Sequence, residues 1–107
     1  EIEQIKLRSF RKWCSPVHWL TTITLLKKNL RNKLIKFLIK NGVDARPMIN
    51  PVHKAHHFKK YFNSKEFKNS IEISKNSIHL PSSTLLKEKE IKFICKKIKL
   101  FFNKKNK

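Results

Sequence analysis

The sequence is short of the residues on which many functional motifs depend. It has one glycine, four prolines and two cysteines in 107 residues. One glycine cannot form the glycine-rich loops of P-loop or dinucleotide-binding proteins, nor the G-x-S-x-G turn of α/β-hydrolases. Cys14 and Cys95 have neither C-x-x-C spacing nor the number needed for a disulfide framework, so we expect two reduced thiols. These absences exclude several common enzyme and nucleotide-binding classes.

Long apolar runs and acidic residues are also scarce. No apolar segment approaches the roughly 20 residues that span a bilayer, and no secretory leader is visible at the first residues. We therefore expect a cytoplasmic protein without a membrane partner. Only seven residues are Asp or Glu, and no segment pairs two carboxylates for general acid–base catalysis. A chain of 107 residues can build one small core but not two.

Positive charge is abundant, with a formal net charge of +19. A small basic nucleic-acid-binding domain is therefore the alternative function. All but four of the 26 basic residues are Lys, and Lys, Asn and Ile have AT-rich codons, so nucleotide bias can produce much of this charge. Base stacking also needs exposed aromatic rings, whereas Trp19, Phe37 and Phe101 are predicted to lie on core faces. We rank this alternative second.

The stretch from Gly42 to His53, G-V-D-A-R-P-M-I-N-P-V-H, holds the single glycine and two of the prolines. Gly42 follows a strongly periodic apolar segment and can close a helix in the left-handed conformation. Apolar and polar residues then alternate at strand spacing, and each proline biases the residue before it towards an extended backbone. The pattern predicts a helix end, a short strand and an irregular loop that carries Arg46, Asn50 and His53.

Periodicity predicts most of the remaining elements. An uncharged segment rich in β-branched and aromatic residues, 17–26, favours a strand, and 77–80 favours a second short one. Apolar residues at spacings of three and four predict amphipathic helices, at 30–41, 65–76 and 86–102. The last of these helices places Ile91, Ile94, Cys95, Ile98, Phe101 and Phe102 on one apolar stripe.

These elements predict a small α/β domain of the α+β kind. We expect three strands in a mixed or antiparallel sheet with about three helices packed on it. Residues 1–16 fit one helical face only loosely, and the Ser-Pro pair at 15–16 breaks the segment. The domain itself is assigned to residues 17–102, and residues 103–107 are interpreted as a solvated tail.

Three histidines form an H-x-x-H-H cluster at His53, His56 and His57. Zinc would need a fourth ligand, and neither cysteine lies close in the sequence. Such a cluster in a Lys-rich loop is more often solvated than metal-bound. We therefore predict no metal site.

Four motifs follow one another along the chain. They are V-H-W-L-T-T-I-T-L at 17–25, R-N-K-L-I-K-F-L-I-K-N-G-V-D-A-R-P at 31–47, N-P-V-H-K-A at 50–55 and I-H-L-P-S-S-T-L-L at 78–86. Each motif alone is weak, but four in order with plausible gaps are fairly specific. Over residues 17–102 the chain resembles the C-terminal part of the DegT/DnrJ/StrS family of sugar aminotransferases.

The resemblance implies a pyridoxal-phosphate-dependent enzyme of the aspartate-aminotransferase fold that is a homodimer at full length. Such enzymes move an amino group, commonly from glutamate, onto a nucleotide-linked keto-sugar for cell-surface polysaccharide or glycan biosynthesis. In family members the Schiff-base Lys lies in a large domain that mainly binds the cofactor, and no Lys here has that motif context. We therefore expect the small C-terminal domain alone, from a fragment or a split gene, with no catalytic residue and no activity by itself.

The resemblance also names three candidate substrate-binding residues. Arg46 and His53 would line the substrate side of the cleft, with Trp19 near the dimer interface. The planar fork of an Arg pairs bidentately with phosphate or carboxylate. Other roles stay open: Arg46 anchoring the loop to a carbonyl or an acidic side chain, and His53 orienting the loop by hydrogen bonds. A Trp at the start of a strand is most often packed in a core or an interface.

Overall fold

The computed structural model describes residues 2–58, 60–62 and 67–103. In this part of the chain four strands form one sheet: β1 (Ile5–Leu7), β2 (Thr21–Leu25), β3 (Arg46–Pro47) and β4 (Ser77–Leu80). Three α-helices accompany it: α1 (Arg31–Lys40), α2 (Lys68–Asn76) and α3 (Glu88–Asn103). Two 3-10 turns, Val52–Lys54 and His56–Phe58, lie between β3 and α2.

The sheet is antiparallel throughout, and its strand order is β1-β2-β4-β3. The α+β class predicted from the sequence is confirmed, but the described sheet has four strands where three were predicted. The additional strand is β1, in a segment that fitted a helical face loosely. Ile5 pairs with Leu25 and Leu7 with Ile23. Three residues are too few for alternation to be recognised in a sequence, so the neighbouring strand decides their conformation.

The strand predicted at 17–26 is shorter than expected, because β2 begins at Thr21. Leu80, at the end of β4, pairs with Thr21, and β1 ends opposite Ile23. Residues before Thr21 therefore have no partner strand on either side. As a result Trp19 is 73% exposed, and the prediction that it lies on a core face is wrong.

The core lies between one face of the sheet and helices α1 and α3. Leu34 and Leu38 of α1 are completely buried, in a cluster with residues of β2, β4 and α3. Four of the six residues predicted on the α3 stripe are buried, Ile94, Ile98, Phe101 and Phe102. Ile91 and Cys95 are exposed. Cys95 lies about 100° around the helix from its buried neighbour, and Ile91 lies in the first turn, ahead of the buried stretch.

Gly42 ends α1 in the way that the sequence predicts. Its φ angle is +78°, in the left-handed region. The N–H of Gly42 donates to the carbonyl of Ile39 at 3.0 Å, and the N–H of Val43 donates to that of Leu38 at 2.9 Å. This is a Schellman motif, which satisfies carbonyls that the helix end would leave free. After this turn the chain continues through residues 43–45 into β3.

Two other expectations concern the ends of elements. The helix predicted at 65–76 is observed from Lys68 to Asn76, and residues 65 and 66 lie outside the described residues. Asn103, predicted as the first residue of the tail, is the last residue of α3, and residues 104–107 lie outside the described part. Among the described residues no helix is both long and apolar enough to cross a bilayer.

Candidate functional site

One face of the sheet carries polar side chains. Ile23 and Ile78 point to the core, so their neighbours along each strand point to the opposite face. On that face the Thr22 hydroxyl lies 2.9 Å from Nδ1 of His79, and the Thr24 hydroxyl lies 2.8 Å from that of Ser77. Arg46 lies directly opposite His79 in the β3–β4 pair and therefore shares this face. We call it the polar face, formed by Thr22, Thr24, Ser77, His79 and Arg46.

His79 connects the polar face to the loop that follows β3. The backbone N–H of Ile49 donates to its Nε2 at 3.3 Å. An N–H can only donate, so Nε2 carries no proton, and the proton of the neutral ring lies on Nδ1, where it is donated to the Thr22 hydroxyl. Burial lowers the pKa of His79 below its ordinary value of 6.5. The neutral imidazole thus fixes the start of the loop against the sheet.

Protonation of His79 is expected to destabilise the fold. The protonated ring would present an N–H to the N–H of Ile49. Because the pKa is lower in the folded state, the contribution of the neutral ring is complete above the ordinary pKa of 6.5 and is lost as pH falls through the folded value. We therefore expect the free energy of unfolding to fall as pH falls through this range.

Urea unfolding curves collected in small pH steps would measure this loss. His79→Gln cannot titrate, so its unfolding free energy should change less over the same range. His56→Gln, at an exposed position, serves as the matched control and should keep the wild-type slope. Equal slopes in the wild type and in His79→Gln would contradict the assignment.

Arg46 points to solvent and pairs with Asp44. Its Nη2 lies 3.0 Å from Oδ2 of Asp44, and its Nε lies 3.4 Å from Oδ1. The hydrogen bond with Asp44, and then its charge, raises the pKa of Arg46. Both side chains are exposed, so water weakens the pair and an arriving anion can compete for the guanidinium. Of the roles left open for Arg46, the structure thus shows the contact with an acidic side chain. Anion binding by Arg46 stays a prediction.

His53 occupies a different environment. It lies in the 3-10 turn Val52–Lys54, is 9% exposed, and stacks on Phe67 with ring centroids 4.5 Å apart and planes at 20°. Its Nε2 is buried and has no hydrogen-bond partner in the described part of the chain. A groove of about 470 Å³ begins at Met48 and includes His53 in its wall.

The three predicted site residues lie in different surroundings. Arg46 lies on the polar face, and His53 lines the groove that starts two residues after it. Trp19 is exposed, and no hydrogen bond or ring contact among the described residues joins any two of the three. His79 was missed. The alternation in S-I-H-L places it off the core face, but its partners depend on strand register, which the sequence does not reveal.

The residues present do not fit a metal or a cofactor attachment site. Within residues 2–58, 60–62 and 67–103, no group of three or more His, Cys, Asp or Glu side chains can hold a metal ion. A Schiff-base Lys needs a desolvated amine. Every Lys in the described ranges is exposed except the half-buried Lys97, whose Nζ donates to the Asn41 side chain at 3.1 Å. These lysines do not provide the attachment point that pyridoxal phosphate requires.

Comparison with known proteins gives two matches. The model of the DegT/DnrJ/EryC1/StrS aminotransferase family matches residues 1–99, so it includes β1, which the four motifs do not reach. GDP-perosamine synthase of Vibrio cholerae is 33% identical over 88 residues, which are 80% of this chain and 24% of that protein. This chain thus spans about a quarter of the length of the curated relative. Together with the fold, these matches place the chain in the DegT/DnrJ/EryC1/StrS aminotransferase family.

Proposed function

We propose that this chain is the small C-terminal domain of a pyridoxal-phosphate-dependent aminotransferase that acts on a nucleotide-linked keto-sugar. The open part of its polar face, at exposed Arg46 and half-buried His79, would form one wall of the substrate cleft. The observation that carries this proposal is the exposed guanidinium of Arg46. Arg46 is the cross-strand partner of His79, and both lie on the sheet face opposite the core. Family membership supports a sugar aminotransferase. The domain limits, 17–102 with 1–16 as a connection, belong to the same proposal.

In this proposal the chain binds and orients substrate, and the chemistry takes place on another domain. Arg46 would pair with the diphosphate of the substrate through its planar fork. Neutral His79 would keep the Ile49 loop in position beside it. Pyridoxal phosphate, when bound, supplies the electron sink for amino transfer, and its Lys would belong to the large domain. The cytoplasmic location, the glutamate donor, the homodimer and the role in polysaccharide biosynthesis are part of the proposal.

A domain exchange tests the proposal. In the Vibrio cholerae synthase, the region that this chain matches would be replaced by residues of this chain. The chimera is expected to form GDP-perosamine, because the remaining three quarters of the synthase supplies what this chain lacks. Product formation would be followed by mass spectrometry. The synthase truncated before the exchanged region is the control and is expected to form none, as is this chain alone.

A chimera that folds but forms no more product than the truncated synthase would refute the proposed role. Folding would be checked by circular dichroism and by the absorbance of bound pyridoxal phosphate, so that a misfolded chimera is recognised. If the chimera does not fold, its place is taken by a chimera exchanged only from Thr21 onward, where β2, the first of the two central strands, begins.

The nucleic-acid alternative is not favoured by these findings. Phe37 and Phe101 are packed against each other with ring centroids 5.4 Å apart, so they do not offer faces for base stacking. Trp19 is exposed, but the family assignment accounts for the chain without a nucleic-acid partner.

A further inference from the structure

The groove that begins at Met48 has mainly apolar walls among the described residues. It measures about 470 Å³, and its apolar side chains are Met48, Ile49, Pro51, Val52, Phe62, Phe67 and Ile73. Four of these remain substantially open to water: Ile49, Val52, Phe62 and Ile73. Proteins rarely leave such a contiguous apolar surface bare unless something binds there.

One buried polar atom in the wall makes no hydrogen bond to the part of the chain that the structure describes. Nε2 of His53 is buried and makes no hydrogen bond to any described residue. Leaving a buried polar atom unpaired costs free energy, because water has been removed and nothing replaces it. The ring cannot easily turn away, since it is stacked on Phe67, which in turn meets Phe62 edge to face at 5.7 Å. The groove therefore offers apolar walls and one fixed imidazole nitrogen.

A flat heteroaromatic ring with a polar edge matches these features. Its faces fit apolar and aromatic walls, as when proteins hold an extruded base. The edge of a nucleobase carries both donors and acceptors, so it can satisfy Nε2 in either tautomer of His53. A sugar or a phosphate would instead leave its own polar groups unpaired against these walls. The chemistry of the groove thus selects the base part of a nucleotide.

The position of Arg46 supports the same ligand. Arg46 precedes Met48 by two residues, which is about 7 Å of extended chain. A nucleotide whose base enters the groove would leave its negatively charged phosphates outside it, where Arg46 is an exposed cation. Among the described residues, the other polar side chains of the wall are those of Ser70 and Ser74, which are uncharged and do not repel it.

We propose that this groove is the nucleobase subsite of the protein, with Nε2 of His53 bonded to the edge of the base. The assignment rests on the proposed function, because it presumes a nucleotide-linked substrate. It adds the residues that would bind the nucleobase, which is the part of the substrate that does not react.

Nuclear magnetic resonance titration of the chain tests the subsite. The probes are GDP, guanosine and ribose 5-phosphate, the first chosen because the relative is a GDP-sugar enzyme by name. GDP and guanosine should shift the side-chain resonances of His53 and Phe67 in a saturable way. Ribose 5-phosphate carries a phosphate but no base, so it should leave those two resonances in place.

His53→Phe is the informative variant, since it keeps a ring against Phe67 but removes the nitrogen. It should weaken guanosine binding roughly tenfold, as expected for a lost hydrogen bond. It should leave the midpoint of urea unfolding unchanged or higher, because the unpaired atom is gone. His56→Phe, a matched change at an exposed neighbour outside the groove, should alter neither quantity.

Any one of the following outcomes would overturn the subsite. They are guanosine leaving His53 and Phe67 unshifted at millimolar concentration, guanosine binding equally to His53→Phe, and a clear loss of stability in His53→Phe, which would mean that Nε2 has a partner within the fold. A dimer detected by sedimentation would also overturn it if dimer formation shifts the resonances of His53 and Phe67. The occupant of the groove would then be a second copy of the chain.

The subsite and the proposed function can fail separately. GDP that binds through Arg46 without shifting His53 would remove the subsite and leave the function standing. Guanosine that enters the groove while the domain-exchanged synthase stays inactive would leave a base-binding groove and remove the aminotransferase role.

Discussion

Replacing Leu38 with Ala is expected to lower the free energy of unfolding by about 2–5 kcal/mol. Leu38 is completely buried in the cluster that α1 shares with the sheet and α3. Removing its branched end loses buried apolar surface and leaves a cavity that close-packed neighbours fill only in part. Small domains are stable by about 5–15 kcal/mol in total, so the variant should be near the limit of folding. Urea denaturation followed by circular dichroism would measure it.

Ile39→Ala provides the matched control for this prediction. Ile39 is the next residue on the same helix but is 56% exposed. Its truncation removes a similar number of atoms and is expected to cost less than about 1 kcal/mol. Equal losses in the two variants would mean that α1 does not present Leu38 to the core.

Arg46→Gln is expected to weaken the binding of GDP by about 10- to 100-fold, as for the loss of charge-assisted hydrogen bonds. Gln keeps a hydrogen-bonding side chain but removes both the charge and the planar fork. Binding to the wild type should also fall as salt is added, because the contact is exposed. Isothermal titration calorimetry of the chain with GDP would measure both effects.

Lys33→Gln separates a specific contact from the general charge of the protein. It removes the same single positive charge from an exposed position on α1. With a net charge of +19, non-specific attraction to GDP should survive the loss of any one cation. A loss in Lys33→Gln as large as that in Arg46→Gln would show that only net charge is at work. Asp44→Asn should have the opposite effect and strengthen binding, since Asp44 competes for the guanidinium.

The helices and their ends could be predicted because their signals are local. The apolar spacing of α1 and the lone glycine after it fix the helix, its buried face and its Schellman motif within a dozen residues. Strand β1 and the exposure of Trp19 could not be predicted in the same way. Both depend on where neighbouring strands begin and end, and pairing between distant segments is not written into either segment alone.

The residues of the candidate site differ in the same way: local motifs single out some of them, and others depend on contacts between distant segments. Arg46 and His53 stand in one proline-containing loop, so motif resemblance could single them out. His79 has an unremarkable sequence context, and its importance arises from a register that places Thr22 on one side of it and Arg46 on the other. The unpaired nitrogen of His53 depends on its stacking against Phe67, fourteen positions away, which periodicity does not indicate.

The hydrogen bonds between β2 and β4 join residues that are 57 and 53 positions apart in the chain. Closing so long a loop costs entropy before any contact offsets it, so this pairing should form slowly compared with the helices. Thr22 reaches His79 and Thr24 reaches Ser77, which completes the polar face, only once this pairing has formed. A newly made chain would therefore acquire its helices first and its capacity to bind a ligand last.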